Sequence, residues 1–111
     1  MGRQGIGEFE ELVLLAIAIL NDDAYGVAIK QEITERTGRK VSIGALQTAF
    51  KRMEGKGFVT SSFGESTAIR GGKRKKYYVI TAMGAQVLQE ARELRMNMWD
   101  AIPEVVLKGL K

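Results

Sequence analysis

Residues 12–20 of the chain are apolar without interruption, and polar positions return only at Asn21-Asp22-Asp23. Nine residues are far short of the roughly 20 that a membrane-crossing helix needs, and a helix apolar on nearly all sides belongs at the centre of a domain. Glu8, Glu10 and Glu11 stand just before this run, where carboxylates complement the positive end of a helix dipole. The first helix is therefore predicted to open at Glu8, with Asn21-Asp22-Asp23 stopping it and able to cap the next. A second helix is predicted over residues 24–37, since Tyr25, Ile29 and Ile33 share a face at i, i+4 and i+8. Gly38 ends it as a left-handed cap. Ser42 is a good N-cap for a third helix, in which Ile43, Leu46, Phe50 and Met53 form one core-facing stripe. Ala45, Gln47, Thr48, Lys51 and Arg52 occupy the opposite face. Beyond Gly55 and Gly57 the pattern shortens: residues 58–63 read as a loosely alternating strand, 64–72 as a loop and 75–80 as the return strand of a hairpin.

Thr81 is placed to cap a final helix. Along it Val87, Ala91, Leu94, Met98, Ala101 and Val105 recur at steps of four and three, the 3.5-residue period of a coiled-coil seam. A helix packed against its own domain would need much the same residues, so both readings stand. Pro103 interrupts the seam and leaves the last stretch either kinked or a separate short helix. The expected layout is a flexible glycine-rich stretch over 1–7, a compact head over 8–80 and a C-terminal dimerisation helix over 81–111. In fold class this is mainly α with a β-hairpin.

Composition narrows the chemistry. At 111 residues the length is that of one domain, and 45% hydrophobic with 27% charged residues is ordinary for a soluble globular protein. There is neither cysteine nor histidine. Disulfides, thiolate metal sites and catalysis by imidazole or thiol are thereby excluded, along with nearly every zinc site. No cofactor is expected, and an enzyme would have to work with carboxylates, lysines and hydroxyls alone. Gly71-Gly72-Lys73 lacks the Ser or Thr that follows the lysine of a phosphate-binding loop, and a strand comes next. Residues 1–7 lack the features of a secretory signal, so a cytoplasmic location is expected.

Charge then supplies the functional direction. Residues 1–35 carry a net charge of −5, residues 77–111 are neutral, and residues 36–76 carry +9 of the chain's overall +4. Five of the seven residues 70–76 are basic. A localised positive field attracts polyanions and releases their counterions on docking. A helix with an exposed polar face, followed by a cationic hairpin, reads as a winged helix-turn-helix that binds DNA. The candidate contacts are Ser42, Ala45, Gln47, Thr48, Lys51 and Arg52 on the helix and Arg70, Lys73, Arg74, Lys75 and Lys76 on the wing. Arg52 has a second reading, as a brace paired with Glu35 or Glu54. Tyr77 and Tyr78 point to opposite faces of their strand, so one of them belongs to the core; Tyr25 is read as core or phosphate-adjacent. The competing class is a winged-helix module whose basic surface serves RNA or a protein partner.

Glu8-Phe9-Glu10, Ala24-Tyr25-Gly26, Ser42-Ile43-Gly44 and the segment Arg70-Gly71-Gly72-Lys73-Arg74-Lys75-Lys76-Tyr77-Tyr78, followed by Thr81 and Gly84, occur in an order and at separations that resemble the PadR family of transcriptional regulators. The likeness spans residues 7–99. It implies a homodimeric repressor of a palindromic operator, with a short tail like that of the compact subfamily. Most relatives carry Tyr-x-x-Leu-x-x-Leu-Glu in the third helix; here Gln47 takes the tyrosine position and Phe50 and Met53 the apolar ones. A glutamine can pair with adenine N6 and N7, whereas a tyrosine more often meets a phosphate or sugar, so the operator is expected to differ from the family's usual sites. In some compact members aromatic residues at the dimer interface stack on flat drug-like ligands; in others they are interface core. Trp99, with Met96 and Asp100 beside it, is the corresponding candidate for a planar aromatic effector.

Overall fold

A first turn rich in glutamate and a long apolar run give α1, Glu8–Leu20, which packs against the other helices of the head and the second strand of its hairpin. The computed structural model describes residues 5–64 and 74–109. After a 3-10 turn at Asn21–Asp23 come α2 (Gly26–Thr37), α3 (Ile43–Gly55), the strands β1 (Val59–Phe63) and β2 (Lys76–Ile80), α4 (Ala82–Asp100) and a short α5 (Glu104–Lys108). The strands pair antiparallel, with Val59 opposite Ile80 and Phe63 opposite Lys76. Candidate residues Arg70 and Lys73, and the hairpin loop 65–72, lie outside the described residues. Among those described, no helix is long and apolar enough to cross a membrane.

The local stop and start signals act where their chemistry requires. Asn21 leaves α1 at φ 54° and Gly38 leaves α2 at φ 73°. The Ser42 hydroxyl accepts the Ala45 N–H at 3.0 Å, and the Thr81 hydroxyl accepts the Gly84 N–H at 3.0 Å while donating to the Gly57 carbonyl at 2.6 Å. Thr81 thus joins the start of α4 to the turn between α3 and β1. Gly84 lies so close behind it that a Cβ would stand 2.2 Å from the Phe58 carbonyl oxygen. Pro103 separates two helices, the second of the two outcomes open in the sequence.

The core is one cluster in which Val13, Leu14 and Ile17 of α1 meet Ile29 and Ile33, Leu46, Phe50 and Met53, Phe58 and Tyr78. Four expectations need correction. The Asn21-Asp22-Asp23 side chains do not cap α2. That helix starts at Gly26, because Ala24 accepts the Tyr78 N–H at 2.8 Å and Tyr25 bridges Tyr77, which draws both into the edge of the sheet. Ile43 is 49% exposed, since the first turn of α3 projects past the core; Ala49 is buried in the stripe instead. Helix α1 is not enclosed either: Leu15, Ala18 and Ile19 face outward.

Candidate nucleic-acid interface

The rotation of α3 is fixed by its buried face. Leu46, Ala49, Phe50 and Met53 are all at most 3% exposed, which turns Gln47, Thr48 and Lys51 to solvent. Phe50 then stacks on Tyr78 of β2 with ring centroids 4.1 Å apart and planes 25° from parallel. This contact joins the helix to the hairpin and forms the floor of a cleft of about 320 Å³. Gln47, Thr48, Lys51 and Glu54 line it from the helix side and Lys76 from the strand.

The cleft combines two lysines and a free amide with one acid. Glu54 is held in place by the Ser61 hydroxyl, which donates to Oε2 at 2.6 Å. Burial, and then the charge of Glu54, raise the pKa of Tyr78 above the usual phenol range. Tyr78 is the core tyrosine of the pair, and Tyr77 is half-buried with its ring edge-on to Tyr25 at 5.6 Å.

The cations of the hairpin stem rest on aromatic rings. Arg74 and Lys76 both lie over Phe63, at 5.4 and 5.8 Å from its centroid, and Lys75 lies 4.0 Å from that of Tyr25. Cation–π contact of this kind orients a charge without neutralising it. Arg74 and Lys76 stay exposed. Ser42 and Ala45 are exposed at the other end of α3, with the Ser42 hydroxyl committed to its cap.

Arg52 is paired, but with neither of the partners expected from the sequence. Its Nη1 lies 3.7 Å from Glu10 of α1, and Glu54 is engaged by Ser61 instead. The first-turn acids prove to be ties between elements: Glu8 accepts from Arg39 at 3.1 Å, Glu10 meets Arg52 and Lys56, and Glu11 accepts from Arg95 of α4 at 2.8 Å. Their position in the sequence signalled only the helix dipole. The contributions of Glu54 to the cleft and of Phe63 to the stem also went unread, because each depends on a partner brought in by the hairpin.

The seam residues divide. Val87 is 7% exposed and belongs to the chain's own core, so it has little surface left for a partner. Ala91 is half-buried, while every residue from Arg92 to Ala101 is exposed, with Leu94 at 50% and Met98 at 67%. Val105 is 75% exposed on α5. An apolar groove of about 730 Å³ runs between α1 and α4, lined in part by Leu15, Ala18, Leu88 and Met96. Trp99 is 55% exposed near the end of α4, with Asp100 exposed beside it.

Comparison with known proteins agrees with this architecture. The profile of the transcriptional regulator PadR-like family matches residues 14–90. A Lysinibacillus sphaericus protein described as uncharacterized protein X is 30% identical over 110 residues, covering 95% of this chain and 93% of its own. The crystal structure of a PadR family transcription regulator from Clostridium difficile R20291 is similar at 25% identity and a TM-score of 0.67, covering 86% of this chain and 97% of that one. The complex structure of hsRosR-S1 is similar at 25% identity and a TM-score of 0.72, covering 87% and 79%.

Proposed function

The chain belongs to the PadR-like family of transcriptional regulators, and from that premise we propose that it binds operator DNA through the surface that α3 and the hairpin present on either side of their cleft. One observation carries the reading: Gln47, Thr48 and Lys51 project from a helix whose rotation is locked by its buried face, beside Lys76 of the strand. A helix presented this way enters the major groove, and a flanking hairpin meets the backbone. Lys51, Arg74, Lys75 and Lys76 serve phosphate, and Gln47 has the donor and acceptor needed to pair with an adenine edge. The resemblance extends the proposal to Lys73 and Arg70 of the wing.

The test is the salt dependence of duplex binding. Lys51→Gln and Lys76→Gln should each reduce the log–log slope by about one, with affinity falling for all duplexes alike. Slopes unchanged in both variants would remove the cleft from the interface. Stronger binding to single-stranded RNA than to duplex DNA would favour the RNA-binding module.

The regulator is further proposed to act as a homodimeric repressor. The apolar residues that α4 leaves in solvent, Leu94, Met96 and Met98, support a second copy as the partner, because exposed apolar surface of this extent on a helix marks an interaction site. A planar aromatic effector would stack where two copies of Trp99 meet across that dimer. Trp99 is the chain's one tryptophan, so saturable quenching by planar dyes tests this directly, and absence of quenching rejects it.

A further inference from the structure

Thr48, Arg52 and Lys56 succeed one another at i, i+4 and i+8, a spacing that stacks side chains along one face of a helix. The row begins in the cleft at Thr48 and ends against α1. There Glu10 receives both cations, with Oε2 3.7 Å from Arg52 Nη1 and Oε1 3.3 Å from Lys56 Nζ. The Glu10 side chain is 9% exposed, that of Arg52 67% and that of Lys56 37%. The arrangement is asymmetric. A buried carboxylate depends on its partners, because leaving it unpaired is costly, whereas two solvated cations on a DNA-facing helix would ordinarily serve phosphate.

We infer that Glu10 is a positioning residue of the recognition surface, holding Arg52 and Lys56 off the DNA backbone so that Lys51, Lys76 and the wing supply the phosphate contacts. The inference rests on the reading that α3 and the hairpin bind duplex DNA. Its consequence is a lower overall affinity and a shallower salt dependence. Phosphate contacts strengthen binding to every sequence equally, so withholding two of them weakens the grip on all duplexes by the same factor and leaves the discrimination by Gln47 unchanged. One carboxylate also ties the C-terminal end of α3 to α1.

The experiment measures binding to a random-sequence duplex across a range of salt concentrations. Glu10→Gln keeps the shape and removes the charge, so it should release both cations. The log–log slope should steepen by about one to two, and non-specific affinity near 0.1 M salt should rise by roughly tenfold for each cation that reaches a phosphate. Adding Arg52→Gln to that variant should take back about one unit of slope. In the otherwise unaltered chain Arg52→Gln should leave the slope where it is, whereas Lys51→Gln lowers it by about one. A folded Glu10→Gln protein with an unchanged slope would overturn the inference. So would Arg52→Gln flattening the slope as much as Lys51→Gln does, and this comparison decides the matter alone should Glu10→Gln fail to fold. Absence of salt-dependent duplex binding by the unaltered protein would overturn the DNA reading itself, before any variant is made.

Discussion

Tyr78 illustrates what a single side chain is asked to do. Its ring stacks on Phe50 to form the floor of the cleft, and it is 3% exposed. Burial and the neighbouring Glu54 disfavour its phenolate and raise its pKa in the fold. Above about pH 10, the usual tyrosine pKa, the unfolded chain loses this proton before the folded one does. The resulting stability is complete below that pH and is lost as pH rises through the folded pKa. Thermal melts carried upward from about pH 10 should show this loss, and Tyr78→Phe should remove much of it; an equally steep decline in the variant would assign it to other groups. That Tyr77 and Tyr78 face opposite ways was legible from strand alternation alone. That Arg52 faces Glu10 was not, because the pairing joins helices distant in sequence and exists only once α1 packs against α3.

Between elements, the local code was readable and the packing was not. Ser42, Thr81 and Gly38 sit at helix ends because side-chain capping and left-handed backbone depend on neighbouring residues only. Periodicity identified the buried face of α3 but gave no sign that the core stops short of Ile43. Likewise, the uninterrupted apolar run of α1 suggested full enclosure, whereas a domain with five helices and one hairpin among its described residues leaves Leu15 and Ile19 in solvent. Gly84 is a point of close approach: α4 begins against the backbone of Phe58, just ahead of β1. Gly84→Ala must push the helix away from the hairpin, and a loss of about 3 kcal/mol is expected, at the upper end for overpacking because the obstacle is backbone. Denaturant unfolding measures it. A loss within about 0.5 kcal/mol, the range of ordinary surface substitutions, would mean that α4 does not dock on the hairpin in this way.

At the scale of the whole molecule the chain is elongated, 61 by 37 by 22 Å, because the second half of α4 extends from the head. The heptad spacing was legible in the sequence; where intramolecular packing ends and exposed surface begins was not, since both call for apolar residues. Burial along α4 ends near Ala91, and beyond it the Arg95–Glu11 pair is what still ties the helix to α1. Leu94 lies beyond Ala91, so Leu94→Glu should leave the head folded while setting two carboxylates against each other in the proposed dimer. Sedimentation should find a dimer for the unaltered chain and a monomer for the variant. A monomeric parent or an unaffected variant would contradict the proposed assembly. Selection of bound sequences from a random duplex pool, run in parallel with the unaltered protein and with Gln47→Ala, tests most directly whether this surface reads DNA. The unaltered protein should enrich a two-fold-symmetric site, and Gln47→Ala should lose roughly 1–3 kcal/mol of discrimination at one base pair in each half. Failure to enrich any sequence, or identical preferences in both proteins, would contradict base reading by α3.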